Sequence, residues 1–173
     1  QLKGGLLDLG GGVVNFGPGN GQFEFTGGTL KNVDSFGGTL VQTDADDPSL
    51  LAPGASVGTM SIDGDYDLQG GAYEVEIDSG GNDFLDVAGM ATLNGDLQIH
   101  LLGGFQPLVG STYDVLQASE IDLGVDFALD PIDFTPGTPR MAAEIVAGQG
   151  VEILRLTAVP EPSTIAMAAA GGL

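Results

Sequence analysis

Asp63-Gly64-Asp65-Tyr66-Asp67 sets three carboxylates at alternate positions around one glycine, the opening spacing of loops that wrap calcium in oxygen ligands. Asp63, Asp65 and Asp67 are therefore candidate calcium ligands. The bidentate glutamate that completes such a loop would fall on Glu74, across Gly70-Gly71 in the next expected strand. Alternation by two is also what the wet face of a strand produces, and that reading is preferred. Gly80-Gly81-Asn82-Asp83-Phe84-Leu85 partly matches a glycine-aspartate calcium nonapeptide but lacks one of its glycines and has no tandem copy. A turn leading into a strand from Phe84 to Val87 explains it better. Asp83 and Asp86 would suit a glycosidase pair only if they stood about 5–9 Å apart across a sugar bond. His100, the one histidine, alternates outward beside Ile99 and Leu101 and offers no two-imidazole metal site. Calcium is thus the only cofactor the sequence suggests, and no catalytic residue is assigned.

These side chains sit in a strongly biased chain. With 24 acidic against 4 basic residues the formal charge is −20, which repels a phosphate backbone and argues against nucleic-acid binding. Hydrophobic residues reach 42%, too many for general disorder. At 173 residues the chain is long enough to bury a core. The absence of cysteine removes disulfides, thiolate sites and cysteine nucleophiles together. Glycine is the outlier at 30 residues, without the collagen period, so it must punctuate turns.

The elements that would carry such residues are strands. Tyr73, Val75 and Ile77 alternate with Glu74, Glu76 and Asp78, and Leu97, Ile99 and Leu101 alternate with Asp96, Gln98 and His100; one face is buried and the other wet. A Gly-Gly-Thr-Leu core occurs twice, at Gly27 to Leu30 and Gly37 to Leu40. Strand starts led by Gly4, Gly27, Gly70 and Asn94-Gly95 are spaced by one or two multiples of about two dozen residues, the length of one solenoid coil. The predicted fold is all-β, a right-handed parallel β-helix with a small antiparallel cap; an antiparallel β-sandwich is the alternative. Glu120 to Arg140, with Pro131, Pro136 and Pro139, reads as a loop or cap crossover. Strands at Ala142 to Val146 and Val151 to Thr157 would then form a hairpin through Gly148-Gln149-Gly150.

Two resemblances to known families add to this. Leu51 to Ile62, followed by the strand patterns as far as Ala118, resembles the last coils of autotransporter-like solenoid passengers. Val159-Pro160-Glu161-Pro162-Ser163-Thr164 and the apolar run Ile165 to Leu173 resemble the PEP-CTERM sorting signal of exported bacterial proteins. In that family a V-P-E-P-S/T motif precedes one membrane helix and a basic cluster, and a membrane-embedded exosortase cuts near the motif. The domains expected are a solenoid over residues 1–157, best matched over 51–118 with a crossover at 119–141, and a sorting tail over 158–173. Gln1 is not a methionine, and the nine apolar residues are short of the ~20 that cross a bilayer, so a fragment of a longer precursor is expected.

The resemblance implies an exported structural or adhesive protein at the surface of a Gram-negative bacterium, tethered transiently through a missing C-terminal helix, with exosortase and exopolysaccharide or other envelope components as partners. A polysaccharide-active enzyme on the same scaffold is a rival. The β-helix lyases it would be similar to pair aspartate-bound calcium with a basic residue, for which only Arg140 and Arg155 are arginine candidates. A calcium-dependent matrix binder is the other rival.

Overall fold

The computed structural model describes residues 1–16 and 23–161. Strand accounts for 59% of the described residues, wound as a parallel β-solenoid of about four turns with a nearly closed sheet. The pairing is parallel everywhere except in a C-terminal cap and one isolated bridge, which sets the β-sandwich aside.

Three ladders run along the solenoid. The first stacks the opening half of β1 (Leu2–Val14) on that of β2 (Phe25–Phe36), then β4 (Ser49–Ala52), β7 (Ala72–Ile77), β10 (Asp96–Leu101) and β13 (Ala128–Pro131). A second continues from the closing halves of β1 and β2 to β5 (Thr59–Ile62), β8 (Phe84–Val87) and β11 (Thr112–Ala118). The third joins β3 (Leu40–Gln42), β6 (Tyr66–Leu68), β9 (Met90–Leu93) and β12 (Glu120–Leu123).

Because the register is parallel, alternation along a strand becomes a column across coils. Leu7, Leu30, Leu51, Tyr73 and Leu97 form one inward column; Val14, Phe36, Ile62 and Val87 form another. On β7 the predicted alternation holds, with Tyr73, Val75 and Ile77 fully buried and Glu74 and Glu76 half-buried. A shift by one residue would bury the carboxylates without partners.

One polar node interrupts the apolar interior. Gln42 is fully buried; its Nε2 donates to Ser49 Oγ at 3.1 Å and to the Ala72 carbonyl at 2.9 Å, while Tyr66 Oη donates to its Oε1 at 2.8 Å. Ser49 and Tyr66 belong to the coil that follows that of Gln42, so the node ties the corner between the third and first ladders. The glycine spacing read from sequence skipped one coil, that of β4, because Ser49 takes the corner position aligned with Gly28.

Several corners require glycine. Gly28 and Gly71 hold φ of +81° and +78°. A Cβ on Gly28 would meet the Gly5 carbonyl oxygen at 2.5 Å, and one on Gly71 would meet the Ser49 carbonyl oxygen at 2.5 Å. In both cases the obstacle is the backbone of the preceding coil. Gly64, at the corner between the second and third ladders, meets the Thr39 nitrogen at 2.6 Å in the same way.

The cap is an antiparallel hairpin of β14 (Arg140–Ala147) and β15 (Glu152–Val159) closed by Gly148 to Gly150. β15 pairs antiparallel with β11, covering the edge that β11 would otherwise expose. Residues 119–141, read as a loop or crossover, contain two strands instead, β12 and β13. Pro131 ends β13 at an edge, where a missing N–H costs nothing, so the prolines bound this last rung rather than abolish it.

Two stability measurements check this account. Gly28→Ala and Gly71→Ala should each lower stability by about 1–3 kcal/mol, from backbone overlap plus strain at positive φ. Gly81→Ala, whose Cβ would meet only Val57 at 3.7 Å, should be near neutral. Gln42→Leu should cost about 1–3 kcal/mol per polar group left unpaired. In a double-mutant cycle with Tyr66→Phe the two losses should fall short of additive; strict additivity would mean that the node is not coupled.

Candidate functional site

The cap strand leads straight into the Val159-Pro160-Glu161 segment. β15 ends at Val159, which pairs with Arg140 at the start of β14, and Pro160 and Glu161 follow as exposed residues. Glu161 Oε1 accepts a long hydrogen bond from the Gly137 N–H at 3.4 Å. Pro162, Ser163 and Thr164 lie outside the described residues. The described part of the motif therefore leaves the solenoid at its capped end. Beside it is an open groove of about 590 Å³ lined by Leu129, Phe134, Pro136, Met141, Arg140 and Glu161 among others.

Elsewhere the side chains with chemical potential are tied to one another across coils. Asp63 is exposed just after β5. Asp65 Oδ1 accepts the Met90 N–H of the following coil at 2.9 Å, and Asp67, outward on β6, accepts Gln69 Nε2 at 2.6 Å. Asp63 and Asp65 flank a corner glycine while Asp67 lies on a strand, so the three do not share one strand face. Among the described residues no group of three or more histidine, aspartate or glutamate side chains is arranged to hold a metal ion. Asp78 Oδ1 accepts the N–H groups of Gly80 and Gly81 at 2.6 and 3.0 Å, forming the turn expected before β8.

Asp83 and Asp86 do not form a couple. Asp86 lies on β8 and accepts Gln117 Nε2 from β11 at 2.8 Å. Asp83 is fully buried; its Oδ1 accepts the Gly58 N–H at 2.7 Å and its Oδ2 the Glu76 N–H at 2.9 Å, which joins two coils through one carboxyl. Burial outweighs these two donors and, with the neighbouring Glu76 and Glu74, pushes the carboxyl up to about 7. Glu76 is raised too, first by burial and then by Glu74, while Lys31 and His100 oppose the shift.

His100 points outward from β10, as its alternation requires, but is not idle. Its Nδ1 lies 2.9 Å from Asp133 Oδ2 and its Nε2 3.4 Å from Glu74 Oε2, so both ring nitrogens are engaged by carboxylates. Arg155 on β15 grips Asp114 on β11 with two contacts, Nε to Oδ1 at 2.6 Å and Nη2 to Oδ2 at 3.0 Å. Arg140, by contrast, is exposed at the rim of the groove. Asp114 and Asp133 were not singled out from sequence, since their partners lie 41 and 33 residues away along the chain.

No protein-family model matches this chain, and a search of curated proteins finds no match. Among the described residues no helix is long and apolar enough to cross a membrane.

Asp83 yields a pH test with a definite sign. Its carboxyl is raised in the folded state, so the stability it contributes is fully present below the unfolded value near 3.8 and is lost as pH rises through about 7. The melting temperature of Asp83→Asn should therefore gain on the wild type across that window, by roughly 5–10 °C in total. A difference that stays constant with pH would refute the assignment.

Proposed function

We propose that this chain is a surface-sorted structural or adhesive module of the cell envelope or exopolysaccharide matrix, and that its C-terminal motif is the substrate of an exosortase. The observation that carries the reading is the path of the chain at its end. Val159 is still paired with Arg140 at the end of the last cap strand, and the chain emerges from it as the exposed Pro160 and Glu161, so a processing enzyme reaches this part of the motif without opening the solenoid. The use of the polar side chains points the same way. Arg155, His100, Asp83 and Asp86 are held in contacts between coils, which favours a scaffold over a catalyst. An acidic surface on a stack of flat ladders suits contact with hydrated polymers and other envelope components.

The reading is tested by processing. Residues 1–173, joined to a membrane helix and a basic cluster, are expressed in a host with and without an exosortase. Cleavage near the motif should require the enzyme and fall at least tenfold in Pro160→Ala and Glu161→Ala, with the fold of the solenoid unchanged by circular dichroism. Equal release with and without the enzyme, or in both variants, rules the assignment out.

A further inference from the structure

The two ends of the solenoid are finished differently. At the C-terminal end an antiparallel hairpin covers β11, and β13 closes in Pro131. At the other end, among the described residues, β1 pairs with β2 alone and its far edge along Leu2–Val14 has no strand on it. Three observations on that edge agree on what it fits.

The first is burial. Leu7 and Val14 are the end members of columns whose next residues, Leu30 and Phe36, are fully buried, yet Leu7 and Val14 are only half-buried. The interior thus runs to the open end without being closed there. The second is backbone conformation. Gly5 has φ of +77°, the value that Gly28 and Gly71 keep within a few degrees at the same corner. Gly28 and Gly71 lie against the carbonyl of the preceding coil, whereas a Cβ on Gly5 would meet nothing within 4 Å. β1 therefore carries the corner that accepts a coil, with no coil on it. The third is charge. In a chain of net −20, the charges of β1 are one lysine and one aspartate, Lys3 and Asp8, so this strand carries no net negative charge to repel another acidic coil.

We infer that the open edge of β1 is a docking surface for one further parallel coil built like that of β2 and β3, supplied in cis ahead of Gln1. Such a coil places its carbonyl over Gly5, continues the Leu7 and Val14 columns, and pairs the free N–H and C=O groups of β1.

The test grafts that occupant. A copy of residues 24–44, one coil in length by the pairing of Gly28 with Ser49, is joined ahead of Gln1 and compared with a glycine-serine segment of equal length. The copied coil should slow hydrogen exchange of the Leu6 to Asp8 amides by roughly tenfold or more and raise the melting temperature, while the glycine-serine segment does neither. Exchange unchanged by the copied coil overturns the inference. So does a concentration-dependent dimer of the 173-residue chain that Val13→Lys dissociates, since that assigns the edge to a second copy.

Discussion

Everything in this fold depends on how closely one coil's backbone can approach the next. Parallel strands pair at about 4.8 Å, and at several corners, where the chain also changes direction, that spacing leaves no room for a Cβ. Gly28, Gly64 and Gly71 meet this constraint, each facing backbone atoms of the coil before it. Glycines that the sequence marks as turn punctuation are, at these corners, also a packing requirement. Stability in such an array comes from repeated contact between neighbours, with no central core that any single coil could form alone.

The same geometry decides what happens to polar side chains. A column of carboxylates would be repulsive, so the acids that approach the coil interface are assigned partners within the array: backbone N–H groups for Asp65 and Asp83, Gln117 for Asp86, Arg155 for Asp114. Gln42 does the same inside the core, where it satisfies a hydroxyl, a carbonyl and Tyr66 at once. Such contacts help fix the vertical order of coils that are otherwise alike, because Met90, Gly58 and Gln117 each stand one coil from the acid they bind.

Much of the architecture was legible in the chain. Alternation at Tyr73 to Ile77 and at Leu97 to Leu101 marked strands with one wet face, the Gly148 to Gly150 turn marked the cap, and the glycine spacing gave the coil length. What escaped had physical reasons. Ser49 substitutes for a corner glycine through its contact with Gln42, which no local pattern announces. β12 and β13 are short and rich in acids and proline, and they become strands because β9 and β10 offer them an edge. The pairing of His100 with Asp133 and of Arg155 with Asp114 depends on that late rung and on the antiparallel return of β15, so neither was visible before the topology was known.

The placement of β15 also has a mechanical meaning. This strand lies between β11 and β14, hydrogen-bonded to both, and the chain leaves it after Val159. A pull applied at Glu161 therefore loads both ladders in shear, so that many hydrogen bonds and the clamp of Arg155 on Asp114 must yield together. Had the last strand been peeled from an edge, the same force would have broken those bonds one at a time. The cap that covers β11 is thus also the attachment point best able to bear a load through the tail.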